Sequence, residues 1–136
     1  TEQNNAAPAG EQEFAIHKVY VKDVFLVAQY TIDIYYEWNP ETNVQINTQA
    51  RALEEGLFDV ELTLTVTAKI GEQTAYLVEI KQAGVFHVKG FADAQMGHLL
   101  GSYCPNLLFP YARAAISGMV SGGGFPDLAL APVNFD

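Results

Sequence analysis

The clearest pattern in the chain is the alternation in "FDVELTLTVTAKI". Phe58, Val60, Leu62, Leu64, Val66, Ala68 and Ile70 fall on one side, and Asp59, Glu61, Thr63, Thr65, Thr67 and Lys69 on the other. A period of two with one apolar side predicts an antiparallel strand that places one face on a core and the other against water. Gly71-Glu72 reads as a tight turn. The return strand carries Tyr76, Val78, Ile80, Phe86 and Val88 on one side and Leu77, Glu79, Lys81, Val85 and His87 on the other. Gly84 in mid-strand predicts a bulge or a close approach of backbone. Upstream, "FAIHKVYVKDVFLV" from Phe14 to Val27 is a β-rich strand, "QYTIDIYYEW" continues in β-prone residues to the turn signal Asn39-Pro40, and "TNVQINTQ" predicts a short alternating strand.

The period then changes. "FADAQMGHLLGSY" has helical composition, and a longer helix follows from about Pro105, with proline suited to its first turn, a kink expected at Pro110, and Gly122-Gly123-Gly124 as its end. The tail "FPDLALAPVNFD" is apolar, proline-broken and extended, and residues 1–13 have the polar, aperiodic composition of a disordered arm. The expectation is one α+β domain over residues 14–136: about four strands with helices on the apolar side.

Composition narrows the partners. With 136 residues and 49% hydrophobic content, the chain suits one domain with a real core. Sixteen acidic residues against seven Lys plus Arg give a net charge of −9, which disfavours nucleic acid or an anionic membrane as the main partner and favours a basic one. Cys104 is the only cysteine, so no internal disulfide forms and a reducing compartment fits. The first residues carry no export signal and no apolar run is long enough to span a bilayer, which points to the cytoplasm; the chain starts on Thr1 rather than Met, as an end touched by processing or trimming would.

Candidate chemistry is sparse. His17, His87 and His98 lack the spacing that aims two imidazoles at one metal. Cys104, between Tyr103 and Pro105, reads as a small packing residue more than as a nucleophile. "SGGGF" lacks the lysine and hydroxyl of a phosphate loop and ends a helix instead of opening one. Asp59 and Glu61 share a threonine-rich face read as solvated, with nothing to tune an acid catalyst. No catalytic residue, metal or cofactor is expected. What remains is apolar surface: "LLFPYARAAISGMV" is apolar beyond one stripe, and the small residues Ala114 and Gly118, like Ser117 and Ser121, recur four apart. Self-association through that helix would cover it.

Those same segments carry a family resemblance. "QAGVFHVKG", "QMGHLLGSYCPNLLFPYARAAISGMV" and "GGFPDLALAPVNFD" resemble the C-terminal half of the SecB protein-export chaperones, while "IHKVYVKDV" and "EWNP" resemble the family's first strand and the segment after its crossover loop. The resemblance implies a four-stranded antiparallel sheet with helices on one face, assembled as a dimer of dimers with the long helix, including Tyr111, Ala114, Ala115, Gly118 and Ser121, between dimers. It implies an ATP-independent holdase that passes unfolded precursors to the SecA ATPase. By family position, Trp38, Val44, Ile46, Leu128 and Leu130 would line the client groove, and Asp23 and Glu79 would form an acidic face for SecA's zinc-containing tail. Two departures stand out. "VFLVAQYTIDIYYE" lacks the family's Pro/Asn-rich crossover and puts Val27 at an acidic position, and the chain stops at Asp136, where family members continue into a second helix and an acidic tail. The rival readings are a small-ligand carrier or compact enzyme built around an internal pocket, disfavoured by the lack of convergent polar groups, and a purely oligomeric adaptor.

Overall fold

The computed structural model describes residues 11–28 and 38–135. Residues 1–10 of the expected arm and most of "QYTIDIYYEW" lie outside the described residues. Four strands, β1 (Glu13–Ala28), β2 (Glu41–Glu54), β3 (Leu57–Ile70) and β4 (Gln73–Lys89), form one antiparallel sheet in the order β1-β4-β3-β2. The alternation in β3 holds: Val60, Leu62, Leu64, Val66 and Ala68 are fully buried, as are Val78, Ile80 and Phe86 opposite them on β4. Two hairpins join β2 to β3 and β3 to β4, and Gly56 and Gly71 supply the positive φ their turns need. β2 is longer than its sequence signal. Beyond Gln49 its own alternation fades, yet pairing with β3 carries it to Glu54, because β3 offers a full ladder of donors and acceptors to any chain alongside.

β1 holds its register by bulging twice. Its partners on β4 run without a gap while His17 and Lys22 are passed over, so each is an extra residue. The apolar residues of β1 follow suit: Phe14, Ile16, Val19, Val21, Val24 and Leu26 are spaced two, three, two, three, two, and all pair with positions on the helix-facing side of β4. Gly84 is a close approach and not a bulge. A Cβ there would sit 2.7 Å from the Phe86 ring and 3.1 Å from Leu108 Cδ2.

The helical region is continuous. Helix α1 (Asp93–His98) passes through a π-helical turn (Leu99–Tyr103) into α2 (Cys104–Gly122). The Cys104 amide donates to the Leu99 carbonyl, the i→i−5 bond that defines such a turn. α2 runs through Pro110, which is exposed, so the backbone donor it lacks is missed on the water side. Its buried stripe, Cys104, Leu108, Phe109, Ala112, Ile116 and Val120, lies on the sheet. No helix among the described residues is long and apolar enough to cross a membrane.

Candidate functional site

α2 buries one face and leaves the other open. Tyr111 is 57% exposed, and Ala114, Gly118 and Ser121 continue its line at intervals of three or four residues. A Cβ at Gly118 would meet nothing within 4 Å. Ala115 is placed differently: it flanks this line, half-buried against the core. The stripe carries no charge, and Arg113 beside it lies over the Phe109 ring at 5.6 Å.

A second apolar strip lies where the helices leave β2 uncovered. Ile46 is half-buried against the core, and Val44, two residues along the same face of β2, is 40% exposed. The chain leaves α2 through a glycine cap. Gly124 takes φ +88, the Phe125 amide donates to the Val120 carbonyl and the Gly124 amide to the Ser121 carbonyl, a Schellman ending that reverses the chain. Phe125 is thereby set 4.7 Å from the Tyr76 ring and 6.0 Å from Trp38. The Ser117 hydroxyl donates to the Leu128 carbonyl, and Leu128 and Leu130 follow half-buried in extended chain. Trp38, Ile46, Leu128 and Leu130 thus all pack at the margin of one core, as does Phe125, which the sequence reading did not single out. Its signal was there: an aromatic directly after a run of glycines is the residue a cap aims inward.

The opposite face of the sheet is charged. Lys18, Lys22, Arg51, Lys69, Lys81 and Lys89, every Lys and Arg except Arg113, sit on strand positions of that face, interleaved with Glu13, Asp23, Asp59, Glu61 and Glu79. Asp23 is exposed and pairs across with Lys81; Glu79, its diagonal neighbour, is half-buried and accepts a 2.7 Å hydrogen bond from the Thr65 hydroxyl. Val27 is 43% exposed on this face. The solvated reading of Asp59 is corrected: it is only 3% exposed. Lys22 Nζ lies 2.5 Å from Asp59 Oδ2 and 3.1 Å from Glu61 Oε1, and the Tyr20 hydroxyl donates to Asp59 Oδ1 at 2.6 Å. Burial pushes the Asp59 carboxyl up, but the hydrogen bonds from Lys22 and Tyr20 outweigh it and hold the group below its ordinary value. The same bond to Asp59 holds Lys22 above its ordinary value despite burial. Sequence alternation alone could not place a cover over Asp59, because that cover comes from a strand almost forty residues away.

Little else gathers. His17 and His87 stack with ring centres 5.8 Å apart, and His87 Nε2 lies 2.6 Å from Glu13 Oε1. No group of three or more metal-ligating side chains occurs among the described residues. A shallow concavity of about 430 Å³ beside β2 and β3 is lined by Gln45, Ile46, Asn47, Thr63 and Thr65, which include no titratable group. Burial pushes the Cys104 thiol up to about 12, far from a nucleophile's range.

Residues 7–136 match the family described as "Preprotein translocase subunit SecB". A relative named "Protein-export protein SecB" from Thioalkalivibrio sulfidiphilus is 56% identical over all of this chain and 84% of its own length. The protein of the same name from Methylococcus capsulatus is 51% identical over 93% of this chain and 82% of its own. Among solved structures, a SecB-like chaperone of Mycobacterium tuberculosis, in complex with a peptide of the HigA1 antitoxin, shares the fold with a TM-score of 0.74 at 11% identity, covering 89% of this chain and 91% of that one.

Proposed function

The chain belongs to the SecB family of preprotein translocase subunits, and from that premise we propose that it is an ATP-independent export chaperone, not an enzyme, that holds precursor proteins unfolded in the cytoplasm and delivers them to SecA. The observation that carries the proposal is the apolar material left half-exposed at the margin of one core, Trp38, Ile46, Leu128 and Leu130, with Val44 more open on β2. Such a margin suits an extended segment of unfolded chain. Apolar contact and main-chain hydrogen bonds to the outer edge of β2, which pairs with no further strand among the described residues, bind without reading sequence, as a holdase requires.

The stripe Tyr111, Ala114, Gly118 and Ser121, flanked by Ala115, is the interface between dimers in a homotetramer. Its small side chains let two helices approach closely, and association removes Tyr111 from water. Asp23 and Glu79 dock the basic, zinc-containing C-terminal tail of SecA. With Val27 in place of a third acid, that docking is weak and falls further as salt screens the remaining carboxylates. The test is suppression of aggregation of a chemically unfolded client, without nucleotide, beside a solution mass. Trp38→Ser with Leu128→Ser should weaken client binding about tenfold or more, by loss of the burial of two large side chains, and leave the assembly intact. Unchanged client affinity in a folded assembly would move the groove elsewhere, and an inert monomeric wild type would remove the chaperone reading.

A further inference from the structure

The second bulge of β1 coincides with the only carboxylate-docking position on that strand. Without an extra residue, Asp23 would fall on the helix-facing side, because side chains alternate and Val19 and Val21 already point there. Passing over Lys22 puts two successive side chains, Lys22 and Asp23, on the charged face. The extra residue is fastened from both sides of the sheet. On the charged face, Lys22 binds Asp59 and Glu61 on β3, and Tyr20 binds the same Asp59. On the helix side, buried Gln82 donates from Nε2 to the Tyr20 carbonyl at 3.0 Å, satisfying backbone beside the break in the ladder.

We infer that this clasp is a positioning device: Lys22 and Asp59, tied across from β1 to β3, hold the bulge that turns Asp23 toward the docking partner. The inference rests on the docking role proposed for Asp23 and Glu79. Lys22 is a positioning residue, and its sign separates it from a merely electrostatic neighbour. As a cation beside Asp23, Lys22 would repel a basic tail, so on charge alone its removal should tighten docking. As the fastener of the bulge, its removal weakens docking.

The experiment is titration of the full chain with the isolated zinc-loaded SecA tail peptide. Lys22→Met combined with Asp59→Asn removes the clasp without changing net charge and without leaving the buried Asp59 carboxylate unpaired. Affinity is expected to fall about fivefold, the size of one exposed ion pair lost, with a shift in the backbone NMR resonances of Val21 to Val24. Lys22→Arg, which keeps the bonds, should restore both. Client binding, on the other face, should not change. An affinity that stays level or rises in the double variant, or resonances of Val21 to Val24 that do not move, overturns the inference. Glu79→Lys in the same titration tests the premise separately: if it leaves tail affinity unchanged, the docking face itself is wrong and this inference falls with it.

Discussion

Replacing Gly84 by Ala tests how closely α2 sits on the sheet. The added Cβ would lie 2.7 Å from Phe86 Cε1 and 3.1 Å from Leu108 Cδ2. Ordinary carbon contact begins near about 3.5 Å, so the Phe86 ring has to move by most of an ångström and Leu108 by several tenths. Neither has room, since both are fully buried and Phe86 also lies against the Phe14 ring. Overpacking of this kind costs about 1–3 kcal/mol. Restricting the unfolded chain by the loss of a glycine returns about 0.4–1 kcal/mol, leaving a net loss of roughly 1–2 kcal/mol. With a urea m-value of about 1–3 kcal/mol/M, the unfolding midpoint should drop by about 0.3–2 M. Gly97→Ala is the matched control: in α1 its Cβ meets nothing within 4 Å, so the same substitution should stabilise by about 0.5–1 kcal/mol. Both are measured at one protomer concentration, because assembly couples to unfolding. If Gly84→Ala were as stable as the wild type while Gly97→Ala behaved as described, the β4–α2 contact would not be as close as argued.

Lys at Ala114 or Gly118 buries an unpaired charge if the stripe is an interface, at a cost of several kcal/mol per site; dimers should result, and a variant still tetrameric at low micromolar concentration would exclude the stripe. Because the Asp59 pKa is held below its ordinary 3.8 in the folded chain, its contribution is present above about pH 4 and lost as pH falls through the folded value. Urea midpoints between pH 5 and 2 should therefore fall less steeply in Asp59→Asn than in the wild type, and parallel slopes would refute the clasp's role in stability. Lys22, held above its ordinary 10.5, loses its contribution at the opposite extreme, as pH rises past that value. Cys104, fully buried and pushed up to about 12, should resist thiol reagents at pH 8 until urea opens the fold; fast stoichiometric labelling of the native chain would contradict its burial.

The sequence alone determined the elements whose signal is local and repetitive. β3 and β4 were legible because a period of two over a dozen residues names both the strand and its buried face, and the turn at Gly71 fixes their register. The end of α2 was legible from its glycines, and the stripe at Tyr111, Ala114 and Gly118 from apolar residues in excess of one helix face. Family membership was legible from motifs spread through most of the chain. Tertiary structure decided what depends on a distant partner. β2 extends to Glu54 because β3 lies beside it, and α1 and α2 join end to end through the π turn at Leu99–Tyr103. Asp59 is buried because Tyr20 and Lys22 close over it from another strand. The bulges of β1 stand between these cases. The spacing of Phe14, Ile16, Val19, Val21, Val24 and Leu26 encodes them, but a break in alternation becomes a bulge only when the neighbouring strand holds its own register, and that hold comes from β4 packed beneath α2.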